Sequence, residues 1–249
     1  MKDGQIALIT GGYKNLGLSI SRTLKEAGFI VIASFRTERA KALEISEKYG
    51  IPVYRADITS VEEIEELFKT IEDDFGSVSV LVNNASSFPV GSLMDTSQRD
   101  FEDAFRSSVF ASNFMIKRAV PGMSKAGEGA VVNIGMSGIG EVKGYSDIAP
   151  HASAKTALAV LTLSWAKEVS GRGISVNMVS PGIIDYPWRS SEWRKGMRAL
   201  STSGKLTPPE EVSRAVLFLV QNRSITGKNI EVDPTFEPAG FSDLDFNDH

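Results

Sequence analysis

The chain of 249 residues contains no cysteine. That excludes a disulfide framework and thiolate chemistry, and it suits a reducing compartment. Histidine is nearly as scarce, with only His151 and His249, so a histidine-rich metal centre is excluded and no metal is expected. Basic residues are not in excess: Lys plus Arg number 27 against 31 Asp plus Glu, a net charge of −4. Without a basic stripe, nucleic acid is not an expected partner. No apolar run approaches the ~18 residues a membrane-crossing helix needs, and no leader pattern opens the chain. A soluble, cytoplasmic protein acting on a small molecule is the expectation. No repeat or linker divides residues 1–249, a length that suits one domain with a large core.

Glycine, by contrast, stands at informative places. The stretch Thr10-Gly11-Gly12-Tyr13-Lys14-Asn15-Leu16-Gly17 follows the apolar run Ile6 to Ile9 and precedes Leu16, Ile20, Leu24 and Ala27 at helical spacing. Strand, glycine turn and helix form the first half of a dinucleotide-binding βαβ unit. Bare backbone at Gly11 and Gly17 lets a pyrophosphate come close, and the helix start offers free N–H groups. Taken alone, the turn is equally an ordinary strand-to-helix loop. Its spacing resembles that of the short-chain dehydrogenase/reductase family, with Asn15 where the middle glycine is usual. Asn tolerates left-handed backbone, so the turn is expected to survive and to hold the cofactor from Gly11 through Tyr13, Lys14, Asn15 and Leu16 to Gly17.

The segment after the second strand, Phe29 to Ala33, selects the adenosine ribose in such units. An acid there marks a free 2′-hydroxyl; Ser34-Phe35-Arg36-Thr37 has none. Arg36 offers a planar fork suited to a 2′-phosphate, and Lys14 offers a second cation. NADP(H) is therefore the expected cofactor, the alternative being two solvated surface cations. By the resemblance, Asp57 and Ile58 reach the adenine. The next helix opens with a capping-box pattern, Ser60-x-x-Glu63. The resemblance further places Asn84, Ala85 and Ser86 beside the nicotinamide ribose, with Ser86 for a usual glycine. Asn83-Asn84-Ala85-Ser86-Ser87-Phe88 is similar to the corresponding stretch of pteridine reductases.

The catalytic positions implied by the resemblance are altered. A helix is expected over about 107–125, with Ser108 where the family has an Asn that holds a relay water. Met136 aligns with the usual Ser, one residue before Ser137. Lys155 keeps its place, which implies contact with the nicotinamide ribose, but His151 stands four residues earlier where Tyr is usual. That spacing stacks residues 151 and 155 on one helix face. A neutral imidazole beside a cation is depressed and a weaker acid, so His151 is either the proton donor or a filler of the Tyr slot. Tyr145, after Gly144 as in pteridine reductases, is the other candidate. Dienoyl-CoA reductases have a similar Pro-x-Ala-Ser-Ala-Lys run and take their Tyr from the preceding loop.

Farther on, Pro181-Gly182-Ile183-Ile184-Asp185-Tyr186 resembles a motif whose backbone meets the carboxamide, with Tyr186 in place of Thr. Residues 187–205 fall where a substrate-covering, lid-like segment lies, and 237–249 read as a flexible tail. The fold expected is α/β, a Rossmann-like doubly wound seven-stranded parallel sheet flanked by helices. The function expected is NADP(H)-dependent reduction of a small carbonyl, pterin-like or enoyl substrate by a homodimer or homotetramer. The alternative is an NADP(H)-binding relative that has lost redox catalysis or turned the pocket to other use.

Overall fold

The computed structural model describes residues 4–234 except for the side chain of Leu200; the expected flexible tail lies outside them. Seven strands, β1 (Ile6–Ile9), β2 (Ile30–Phe35), β3 (Val53–Arg55), β4 (Val78–Asn83), β5 (Gly129–Ile134), β6 (Ile174–Pro181) and β7 (Asn229–Val232), form one sheet. All pairings are parallel, in the order β3-β2-β1-β4-β5-β6-β7. The chain winds outward from β1 in one direction, then returns to start β4 on β1's other side. That switch point opens a crevice at the C-terminal strand ends.

Strand alternation divides the core between two faces. Leu8, Ile32, Leu81 and Val131 pack against Ile64, Leu67, Phe68 and Ile71 of α3 (Val61–Asp74) and Met115 and Ile116 of α5 (Ala111–Ala126). Ala7, Ile9, Val31, Val80 and Val82 face the other way. They meet Ile20 and Leu24 of α1 (Asn15–Glu26) and Val212, Val216 and Leu219 of α8 (Pro209–Gln221). Strands buried on both faces explain why β1, β4 and β5 read as nearly unbroken apolar runs.

Two asparagines interrupt those runs. At the paired positions of β4 and β5, Asn83 Nδ2 donates to Asn133 Oδ1 at 2.8 Å. Asn133 Nδ2 donates to Thr162 Oγ1 at 2.9 Å, and Thr162 donates to the Leu158 carbonyl at 2.7 Å. Thr162 lies on α6 (Ala149–Glu168). A buried polar chain thus ties the sheet centre to the helix that carries residues 151 and 155, fixing its height as apolar contact alone does not.

The structure adds local detail and corrects one local expectation, the capping box at Ser60. The helix expected over 107–125 is α5 preceded by α4 (Gln98–Phe105), joined through a wide π-helical turn, Arg106–Phe110, in which the Ala111 N–H bonds the Arg106 carbonyl. Part of the 187–205 segment is a helix, α7 (Ser191–Leu200), capped by Ser190. The capping box at Ser60 is half formed. Ser60 Oγ accepts from the Glu63 N–H, but the Glu63 carboxylate turns to the Asp57 N–H and to Arg55 instead. A complete box stands at Ser97 and Asp100. α2 (Arg39–Tyr49) completes the helices.

Thr162→Val keeps the shape of its site but leaves the Asn133 amide without its acceptor. Stability should fall by about 1–3 kcal/mol, read as a lower urea midpoint with an unchanged denaturant slope.

Candidate active site

The crevice at the switch point is one cavity of about 600 Å³. It brings together every residue singled out in the sequence for cofactor or catalysis: the Gly11–Gly17 turn, Arg36, Asp57, Ile58, Asn84, Ala85, Ser86, Ser137, Tyr145, His151, Lys155, Pro181, Gly182 and Ile184. The turn is built for close approach. Gly11 has φ +64°, and a Cβ on Gly17 would lie 2.2 Å from the Gly11 carbonyl oxygen. Asn15 adopts φ +49°, the left-handed conformation that Asn tolerates best after glycine. Thr10 Oγ1 accepts from the N–H groups of Asn84 and Ala85 at 2.9 and 3.0 Å, and Asn84 Nδ2 returns a bond to the Thr10 carbonyl at 2.9 Å. A bare backbone against an open cavity at a helix start fits a dinucleotide.

At one end, Arg36 and Lys14 both border the cavity. An acid does stand there, two residues past Arg36. Glu38 ion-pairs with Lys14 and accepts the Tyr13 hydroxyl at 2.6 Å. Bonds from Lys14 and then Tyr13 hold the Glu38 carboxyl below its ordinary pKa. Sequence inspection of residues 34–37 missed it because Glu38 folds back from beyond the strand. Burial would raise Asp57, but bonds from the Thr59 N–H and hydroxyl, at 2.9 and 2.7 Å, bring it below its ordinary value.

At the other end, His151 and Lys155 are buried on the first turns of α6. His151 Nδ1 lies 3.0 Å from the Ser87 carbonyl. A carbonyl only accepts, so Nδ1 carries the proton and Nε2 of the neutral ring is an acceptor. Burial, with the Lys155 charge behind it, pushes the His151 pKa down to about 3. The ring also meets Phe88 edge to face at 4.5 Å. Lys155 Nζ donates to the Ile134 carbonyl at 2.7 Å, and burial lowers its pKa to about 8. Ser87 is fixed from its other side as well, since its N–H donates to Ser107 Oγ at 2.9 Å. Ser107 lies in the π-helical turn, so that turn and α6 grip the same loop residue. Ser108 is buried with its hydroxyl unpartnered among the described residues.

The segment between β5 and α6 forms the far wall. Met136 packs into two apolar clusters, one with Ile148 and Met197, the other with Ile139 and Leu158. Ser137, the next residue, lines the cavity. The Ser137 N–H is spent on the Pro181 carbonyl at 2.9 Å. Tyr145 folds back so that its hydroxyl would lie 2.8 Å from a Cβ on Gly138. Burial first, and the Glu231 charge second, raise its pKa. Lys143, Arg189 and Trp193 also line the cavity; Arg189 and Trp193 belong to the 187–205 segment expected to cover substrate, and Lys143 had no expected role. Arg189 lies over both Trp188 and Trp193, at 4.6 and 4.8 Å. Asp185 clamps α7 through Arg194 at 2.6 Å and Arg198 at 3.0 Å.

Parallel sheet, glycine turn at the switch point and a Lys on the helix after β5 define a nucleotide-binding oxidoreductase fold. The family described as Enoyl-(Acyl carrier protein) reductase matches residues 11–235. The 3-oxoacyl-[acyl-carrier-protein] reductase FabG of Vibrio harveyi is 32% identical over 238 residues, 93% of this chain and 96% of that protein. FabG of Thermotoga maritima is 29% identical over 240 residues, covering 93% and 97%. The acetoacetyl-CoA reductase of Rhizobium meliloti is 32% identical over 237 residues, covering 92% and 97%. The chain belongs to the short-chain dehydrogenase/reductase family and is an oxidoreductase similar to these reductases. Among the described residues, no helix is long and apolar enough to cross a membrane, and no group of side chains could hold a metal ion.

The folded value for His151 lies below that of an unfolded histidine, about 6.5. The folded state therefore resists protonation, and this contribution to stability is complete above about pH 6.5 and lost as pH falls toward 3. In NMR spectra the His151 ring, assigned by its disappearance in His151→Gln, should show no titration between about pH 5 and 9.

Proposed function

We propose that this protein is an NADPH-dependent reductase of a small carbonyl, pterin-like or enoyl substrate, with Tyr145 in the role of proton donor. The observation that carries the reading is the continuity of one cavity from Arg36 through the glycine turn and Lys155 to Tyr145. A bound nicotinamide supplies the hydride. Lys155 keeps two N–H groups beyond its bond to Ile134, suited to ribose hydroxyls. His151 spends its only ring proton on Ser87, which leaves it as an acceptor that orients substrate or water. Tyr145, held above the ordinary phenol value, stays protonated at neutral pH and so can donate. Phe88, Ile148 and Trp193 supply flat apolar walls, with Lys143 and Arg189 for an acceptor-rich substrate.

Arg36 supports NADPH over NADH, with Lys14 released from Glu38 as the 2′-phosphate's second cation. The lack of cysteine supports a cytoplasmic setting. Exposed Phe110, Phe114, Val160 and Leu163, on the π turn, α5 and α6, support association with a second copy. The second reading, an NADP(H)-binding protein without redox turnover, draws its support from Met136 and the acceptor character of His151.

The test is NADPH consumption against dihydropterins, diketones and 3-oxoacyl and enoyl thioesters. Tyr145→Phe should lower kcat by about 10²- to 10⁴-fold. Silence across the panel with NADPH still bound selects the second reading. In direct binding, Arg36→Ala should weaken NADPH by about 10- to 100-fold, the worth of a charge-assisted bond, and leave NADH nearly unchanged. Glu38→Gln should instead tighten NADPH by about two- to fivefold, on the scale of an exposed ion pair. Equal effects on both cofactors would refute the 2′-phosphate assignment.

A further inference from the structure

A neutral imidazole carries one donor and one acceptor, and in His151 only the donor is used within the protein. Its Nδ1 proton goes to the Ser87 carbonyl at 3.0 Å, and Ser87 is held from behind by Ser107 Oγ at 2.9 Å. Phe88 sets the ring plane, edge to face with planes 74° apart and centroids 4.5 Å apart. The imidazole is buried and yet lines the cavity. Among the described residues none donates to Nε2. Lys155, one helical turn on, directs a proton to the Ile134 carbonyl instead.

Burial and the Lys155 charge keep the ring neutral, so Nε2 is a bare lone pair throughout the working range. A carbonyl oxygen brought to it sets lone pair against lone pair, whereas an N–H is paired. A buried acceptor selects strongly, because the wrong ligand leaves it desolvated and unpaired. Around its reacting carbon, a bare diketone or a 3-oxoacyl thioester presents acceptors and C–H groups. A lactam or dihydropterin carries an N–H in the plane of the ring that reacts, and such a ring suits the flat walls Phe88 and Trp193.

We propose that His151 is a specificity-determining residue whose Nε2 accepts a ring N–H of the substrate, which is accordingly a flat cyclic amide or dihydropterin rather than a bare ketone or acyl thioester. This rests on the reductase reading above and narrows its substrate class. The rival is a water at Nε2, which pairs the imidazole whatever ligand is bound and so confers no preference for an N–H.

Isatin and N-methylisatin are planar keto-lactams that differ only in N–H against N–CH₃. In calorimetric titrations of the protein with NADP⁺ present, isatin should bind about tenfold or more tightly, the cost of leaving a buried acceptor unpaired. His151→Phe keeps a ring against Phe88 and removes the acceptor, so this ratio should fall by about fivefold or more. A purely structural role for His151 would weaken both ligands and leave the ratio alone. A second readout needs no change at position 151. The chain has only two histidines, so His249→Gln leaves His151 as the one imidazole in the nitrogen NMR spectrum. Its Nε2 signal should be that of an unprotonated nitrogen and should move toward the protonated range with isatin but not with N-methylisatin. Equal wild-type affinities, a ratio unchanged in His151→Phe, a protonated Nε2 in the free protein, or no binding of isatin overturns the proposal. Isatin bound as expected without NADPH oxidation would leave the role of His151 standing and overturn the reductase reading.

Discussion

The hydroxyl of Thr10 is the joint on which this molecule turns. It sits fully buried at the end of β1, where the chain order reverses, and it accepts the backbone N–H groups that open the loop after β4. Two parallel strands diverging at a switch point would otherwise present unpaired N–H groups to the crevice. One side-chain oxygen satisfies two of them, and Asn84 closes the loop back onto the Thr10 carbonyl. The glycine turn and the Asn84–Phe88 loop are thereby set at a fixed separation, and the cavity between them needs no ligand to exist. The close approach of Gly17 to Gly11 then follows, since α1 can start only where that loop leaves room.

The other end of the cavity depends on a different device. α6 is held by the chain Asn83–Asn133–Thr162, and Ser87 is held between Ser107 and His151. At positions 151 and 136 this chain has a committed imidazole and a thioether packed among apolar side chains. His151 from α6 and Tyr145 from the loop between β5 and α6 line the same cavity. The cost is borne by two buried bases, His151 and Lys155, whose charged forms are both disfavoured by the surrounding protein.

Much of this was legible in the residues. The apolar runs gave the strands, because a sheet covered on both faces needs them. The glycine spacing gave the turn, and Lys155 with His151 gave the helix face. What could not be read are contacts that depend on chain folding back from outside a motif. Glu38 reaches Lys14 from beyond the Ser34–Thr37 stretch. Tyr186 meets Leu16 across the whole length of the domain's winding. The direction of the His151 proton depends on a carbonyl 64 residues away. The one local signal passed over was polarity where none belongs: Asn83 and Asn133 in otherwise apolar strands mark the buried bonds that carry α6. Glu63 shows the reverse failure, since its capping pattern was present and a better-placed N–H at Asp57 took the carboxylate.

The wide turn at Arg106–Phe110 has a further consequence for phase. An α-helix advances about 100° per residue, so one extra residue in a turn resets the facing of everything beyond it. α5 must point Met115, Ile116 and Ala119 at the sheet, while Ser107 must point at the loop over the cavity. A uniform helix would satisfy one of these and rotate the other away. The π-helical turn splices two helical phases, one answering to the core and one to the rim of the site. It lets a single rod serve two masters that a regular geometry would set against each other.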